Sequence, residues 1–117
     1  MTEDERVERT ILGAMLLSPL AVTEAVATVR ADDFSLDSHR LLFGCMAAME
    51  AEGRDIDSST VVSQLGTAKV NSMGGLAWIM EVSEGIPRNV SIASHSRKLE
   101  ERSMARRVQN VCQKAIG

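Results

Sequence analysis

Aromatic residues are almost missing: 117 residues contain one Trp, two Phe and no Tyr. Strands favour aromatic and β-branched side chains, so an interior filled by Leu, Val, Ile, Ala and seven Met points to helices and not to sheets. The two cysteines, Cys45 and Cys112, are far apart and belong to no CxxC pair. That excludes a zinc-ribbon pattern and leaves free thiols of a reducing cytoplasm as the reading. No basic excess exists over the whole chain, whose formal net charge is −3, so composition gives no sign of a nucleic-acid binder. The start, Met1-Thr2-Glu3-Asp4-Glu5, has the wrong charge for a signal peptide, and the longest apolar run, Ile11 to Leu17, is far short of the ~20 residues of a membrane span. A cytoplasmic protein with no membrane partner is expected.

What is present is unevenly distributed. Residues 1–89 carry 7 basic and 14 acidic side chains, whereas residues 90–117 carry 6 basic (Arg97, Lys98, Arg102, Arg106, Arg107, Lys114) and 2 acidic ones (Glu100, Glu101). An acidic body is therefore joined to a basic tail segment. A chain of this length is about one domain and buries roughly two-thirds of its unfolded surface, so one modest core is expected.

The spacing of apolar residues predicts an all-α fold, a compact bundle of about five short helices followed by one long helix. Thr2-Glu3-Asp4-Glu5 has the form of a capping box, and Val7, Ile11, Leu12, Met15 and Leu16 then recur at helical spacing. Ser18-Pro19 ends that helix and opens a second with Leu20, Val22, Val26 and Val29, a β-branched stretch for which a strand is the alternative. Arg30 to Asp33 reads as a turn, and Phe34 as an anchor of the connection. A helix follows over about Ser38 to Glu52, with Leu42, Phe43, Met46 and Met49 on one side and Gly53 as its stop. Asp57-Ser58 caps a shorter helix carrying Val61, Val62 and Leu65 and ended by Gly66. Thr67 to Asn71 reads as a loop. Gly74-Gly75 marks a turn before Leu76, Trp78, Ile79 and Val82, and Gly85 and Pro87 stop that helix. From Asn89 no Gly or Pro interrupts the chain until Gly117, which permits a helix of roughly 27 residues, about 40 Å long. The division expected is a globular helical body over 1–88 and a long basic helix over 89–117.

No residue is assigned a catalytic, cofactor-binding or metal-ligating role. The G-x-x-x-x-G-K-[ST] phosphate loop is missing, and no Lys within reach follows Gly74-Gly75. Asp32-Asp33 and Asp55-x-Asp57 each lie next to a predicted helix start, where carboxylates are favoured as caps. His39 is expected to bond near the start of its helix or to face the core. Neither His39 nor His95 has a partner at triad or metal spacing. Two surface features remain. Met104, Val108, Val111 and Ala115 step by four, three and four, a narrow stripe that pairs with another helix or packs on its own domain. Arg97, Lys98, Arg102 and Arg106 are the candidates for nucleic-acid contact, although no aromatic side chains accompany them for base stacking.

The order of motifs resembles the N-terminal domain of the bacterial replicative DNA helicases of the DnaB family. Glu8-Arg9-Thr10-Ile11-Leu12-Gly13-Ala14-Met15-Leu16-Leu17 resembles its E-Q-S-V-L-G-A-L-L opening. Asp33-Phe34 with His39-Arg40-Leu41-Leu42-Phe43 resembles D-F-Y-x-P-x-H-R-x-I-F, and Gly53-Arg54-Asp55-Ile56-Asp57 with Thr60-Val61 resembles G-x-P-I-D-x-x-T-V. Gly74-Gly75-Leu76-Ala77-Trp78-Ile79 is similar to G-G-x-x-Y-L, and Ile86-Pro87 with Asn89-Val90 to V-P-x-x-A-N-I. Arg106-Arg107 continues the match into the long helix. Ser35 and Asp37 replace a frequent Tyr and Pro, and Ser94-His95 replace a frequent aromatic pair, as expected of a divergent phage- or plasmid-type branch.

The resemblance implies a helical domain without the ATPase. In the complete helicase this domain dimerises through a helical hairpin, builds a collar of three dimers, and receives primase and, in some systems, a helicase loader. The long helix would be the hairpin's first arm, and the chain would stop before the second. DNA would be met indirectly through the full-length protein, and ATP and Mg would belong to the motor domain alone. Two other readings stay open: the helicase-binding domain of a primase, similar in fold, and a stand-alone nucleic-acid-binding module built on the basic helix. An enzyme is a third class.

Overall fold

The computed structural model describes residues 1–87 and 89–116, with side chains through Lys114. Among them are seven α-helices and no strand: α1 (Glu3–Leu17), α2 (Pro19–Thr28), α3 (Asp37–Ala51), α4 (Ser58–Leu65), α5 (Thr67–Ser72), α6 (Gly75–Ser83) and α7 (Ile92–Ile116), with a 3-10 turn at Ala31–Asp33 between α2 and α3.

α1 is the central element. The Thr2 hydroxyl accepts the Glu5 amide at 3.1 Å, and three acidic residues fill the first turn, where the helix dipole favours them. From Ile11 to Leu16 every residue is buried, as expected of a helix covered on all sides. It packs against α2, α3, α6 and α7. Ser18, in extended conformation, ends α1, and its hydroxyl caps α2 through the Ala21 amide at 3.4 Å. With Pro19 at the first helical position, this start outweighs the β-branched residues. The segment is a helix, with Val22 and Ala25 on the core side and Leu20 exposed.

Phe34 is fully buried, its ring centroid 5.0 Å from that of Phe43, and so fixes the crossing from the 3-10 turn into α3. Leu42, Phe43, Met46 and Met49 form the buried face of α3. Asp57 caps α4 by accepting the Thr60 amide at 2.8 Å, and the Thr60 hydroxyl accepts the Asp57 amide at 2.9 Å.

The expected loop at Thr67 to Asn71 is instead helix α5. Gly66 at φ +84° turns the chain in a conformation that favours glycine, and a new helix starts at once. Thr67 to Ser72 contains no Gly or Pro to stop it, and Val70 on its inner side is buried. Gly74 at φ +112° then begins α6.

α1 and α6 approach each other at Gly13. A Cβ built there would lie 2.3 Å from the Val82 carbonyl oxygen and 2.7 Å from Ile86 Cγ1, so only a hydrogen fits between the two backbones.

α7 lies against α1, α2 and the 3-10 turn from Ile92 to Arg107 and no further among the residues whose side chains are described. Ile92, Ser96, Leu99 and Ser103 recur by four, three and four and are all buried. Residues 107–114 are exposed.

Candidate interaction surface

α7 has a partly polar inner side and, past the body, an exposed apolar stripe set among its charges. On the inner side two of the four buried residues are serines. The Thr28 hydroxyl donates to Ser96 Oγ at 3.0 Å, and the Ser103 hydroxyl donates to Asp33 Oδ1 at 2.9 Å. On the outer side Met104 is 62% exposed, Val108 55% and Val111 66%. The expected stripe therefore does not pack on its own domain along these three residues. Its fourth member, Ala115, lies outside the residues whose side chains are described.

The four cations read as candidates for nucleic-acid contact divide in two. Arg97 and Lys98 are exposed and make no ion pair among the described residues. Arg102 and Arg106 face the body. Arg102 Nη1 donates to Asp4 Oδ1 at 2.6 Å, and Arg106 Nη1 to Asp4 Oδ2 at 3.3 Å. Arg106 Nη2 also donates to the Asp33 carbonyl at 2.5 Å, and Arg107 Nη2 to Asp33 Oδ1 at 3.2 Å. Of the acidic pair Asp32-Asp33, then, Asp33 does more than cap: its other carboxylate oxygen accepts the Arg30 amide at 2.9 Å, and it ties the 3-10 turn to α7.

A buried polar cluster escaped the reading of single motifs. Glu8 on α1 is fully buried beside His39 on α3. Its carboxylate accepts the His39 Nδ1 proton at 2.8 Å, the Ser35 amide at 2.9 Å and the Ser35 hydroxyl at 2.6 Å. The His39 ring stacks on Trp78 of α6, centroids 5.8 Å apart. Burial acts to raise the Glu8 carboxyl, but the hydrogen bonds from His39 and Ser35 outweigh it and hold the group below its ordinary value. Ser35 and His39 both spend their donors on Glu8, which makes this a structural lock between three helices and not a nucleophile with its base. The signal was available: Glu8, Leu12 and Met15 share one helical register, so a carboxylate stood at a core position and required a partner.

Among the described residues no group of three or more His, Cys, Asp or Glu could hold a metal ion, and no helix is long and apolar enough to cross a membrane. Cys45 is half-buried, which pushes its thiol up, while Cys112 is exposed on α7.

Residues 1–101 match the family model described as the DnaB-like helicase N terminal domain. The chain is 30% identical over 102 residues to the replicative DNA helicase DnaC of Bacillus subtilis (strain 168), and 28% identical over 102 residues to the replicative DNA helicase DnaB of Geobacillus stearothermophilus. Each alignment covers 86% of this chain and 22% of the relative, so the chain spans about a fifth of their length. The fold is similar to the crystal structure of the N-terminal domain of DnaB helicase from Mycobacterium tuberculosis, with TM-score 0.88 and 21% identity over 94% of this chain and 80% of that one. It is also similar to a structure of a DnaB-like replicative helicase and its interactions with primase, with TM-score 0.82 and 20% identity over 96% of this chain and 27% of that one. The buried charge on α1, the close approach at Gly13 and helices α1 to α6 fall within one matched stretch, and the chain belongs to the family of DnaB-like helicase N-terminal domains.

Proposed function

We propose that this chain is the non-catalytic docking and oligomerisation domain of a replicative DNA helicase. In this reading the body, α1 to α6, is a rigid base, and α7 is the first arm of a helical hairpin through which copies pair and build a collar. Primase docks on that collar, and a helicase loader is a second candidate partner. Catalysis, with its ATP and Mg, belongs to a motor domain elsewhere in the complete protein, and DNA is met through that motor. The observation that carries the proposal is the exposed stripe Met104, Val108 and Val111 on a helix that continues past the body. Burying three side chains that are more than half exposed would contribute on the order of 1 kcal/mol each, enough to bias a helix pairing but not to drive it alone. A second hairpin arm or a second copy supplies the remaining contact. Family membership and the similarity to a DnaB-like helicase studied with primase support this over the helicase-binding domain of a primase.

The test uses a chain extended through the hairpin. It should form a dimer or larger assembly by sedimentation, and Val108→Asp with Val111→Asp should return it to monomer. Titrated with the cognate primase C-terminal domain in a calorimeter, the extended chain should bind more tightly than residues 1–117. A second reading, nucleic-acid contact, rests on Arg97 and Lys98, the two cations of the original four that stay unpaired among the described residues. If the extended chain binds single-stranded DNA with a steep salt dependence and ignores primase, that reading replaces the first.

A further inference from the structure

The docking of α7 on the body is built mainly from charge. Along α7 only Ile92 and Leu99 are apolar and buried among the described residues, and both lie in its first eight positions. Past Leu99 the helix is held by Arg102 and Arg106 on Asp4, by Arg106 on the Asp33 carbonyl, and by Ser103 and Arg107 on the Asp33 carboxylate. The two acids come from different elements, the first turn of α1 and the 3-10 turn, so the cluster bridges α7 to both. Its arginines remain partly wet, Arg102 41% exposed and Arg107 60%, although Asp33 is buried beneath them. Beyond Arg107 the helix has no hold on the body, since residues 108–114 are exposed.

From this arrangement we infer that Asp4, Asp33, Arg102, Arg106 and Arg107 form a releasable ionic latch, which decides whether the second half of α7 lies on the body or swings away from it about Leu99. The inference goes beyond the docking function and stands without it, because it concerns only how the arm is attached. An apolar seam would hold at any ionic strength. Ion pairs with partly exposed members weaken as the Debye length falls from about 10 Å at 0.1 M salt to about 3 Å at 1 M. Each such pair shifts an equilibrium by a factor of about two to five, so three together give roughly a tenfold or greater change in the ratio of docked to released arm. Opposing release is the helix itself: Ile92, Ser96 and Leu99 hold its first two turns on the body, so release bends the continuous helix just past Leu99 and does not move it as a rigid rod.

The experiment measures a distance across the latch. Spin labels are placed at Ala105→Cys on α7 and Ser59→Cys on α4, both exposed positions, in a chain whose Cys45 and Cys112 are serine. Electron–electron double resonance at 50 mM salt should give one narrow distance. At 1 M salt a population with a longer distance should appear, with the docked-to-released ratio falling about tenfold. Asp4→Asn should produce that population already at 50 mM salt. Arg102→Gln with Arg106→Gln, at partly exposed positions that cannot unfold the core, should do the same. A distance that stays single and narrow through 1 M salt and in all these variants would overturn the latch. So would a broad distribution at 50 mM salt in the parent chain, since the arm would then never be docked.

Discussion

The contact between α1 and α6 can be tested with two alanines whose effects should differ in sign. Gly13 and Gly44 both lie inside helices, α1 and α3, and neither has a positive φ. Helix propensity alone favours alanine over glycine by about 1 kcal/mol at such positions. At Gly44 nothing lies within 4 Å of the added Cβ, so Gly44→Ala should stabilise the protein by up to that amount. At Gly13 the same Cβ would sit 2.3 Å from the Val82 carbonyl oxygen and 2.8 Å from Ile86 Cδ1. The Ile86 side chain can rotate, but the Val82 oxygen belongs to the backbone of α6, which would have to retreat by about 1 Å to restore ordinary contact. Overpacking costs about 1–3 kcal/mol, and a 2.3 Å approach to a backbone oxygen belongs in the upper part of that range, about 2–3 kcal/mol, which exceeds the propensity gain. The expected net loss is about 1–2 kcal/mol, a fall in melting temperature of roughly 4–8 °C for a domain of this size. Thermal and urea denaturation followed by circular dichroism at 222 nm reads both variants. A Gly13→Ala protein as stable as the parent would refute the close approach, and a destabilised Gly44→Ala would refute the use of propensity as the baseline.

Two further outcomes follow from single sites. Glu8 is held below its ordinary carboxyl value, so its contribution is complete above that value and is lost as pH falls through the lowered one. Urea midpoints measured from pH 7 downwards should decline on the acid side, Glu8→Gln should flatten that decline, and His39→Ala should cost about 3 kcal/mol at pH 7 by leaving a buried carboxylate without its main partner. Asp57→Ala removes the acceptor that caps α4 and should cost about 1 kcal/mol, with hydrogen exchange rising first at the Ser59 to Val61 amides.

Legibility of the fold followed the strength of local signals. Thr2, Ser18 and Asp57 each carry a side chain suited to capping, and each caps the helix expected of it. Phe34 and the face from Leu42 to Met49 were readable because large apolar residues at helical spacing have no other place to go. α5 is not legible as a helix because six residues hold fewer than two turns, too few for an apolar period to show; only the absence of a breaker after Gly66 marks it. Glu8 with His39 was unreadable as a pair because 31 positions separate them and the meeting depends on how α1 and α3 cross. The same applies to Asp4 with Arg102, 98 positions apart. Before the crossing is known, a basic run is only a charged face, and its division into latch and free cations cannot be seen.

The placement of polarity on α7 explains why one helix can answer to two surfaces. A surface helix that completes its own domain turns its apolar side inward and its charges outward. Along α7 that order holds only to Leu99; from Met104 onward the apolar residues are the exposed ones. The inward positions are Ile92, Ser96, Leu99 and Ser103, two of them hydroxyls that already have partners in Thr28 and Asp33, so the inner face is satisfied but weakly apolar. The outward positions Met104, Val108 and Val111 carry apolar side chains left in water. A tightly greased inner face would fix α7 to the body and make any rearrangement expensive in buried area. An inner face of hydroxyls and ion pairs lets it move at the scale of salt and partner binding, while each partner that covers the outer stripe removes exposed apolar surface. One side of the helix is therefore held by Asp4 and Asp33, while the stripe around Val108 stays open to a partner at the same time.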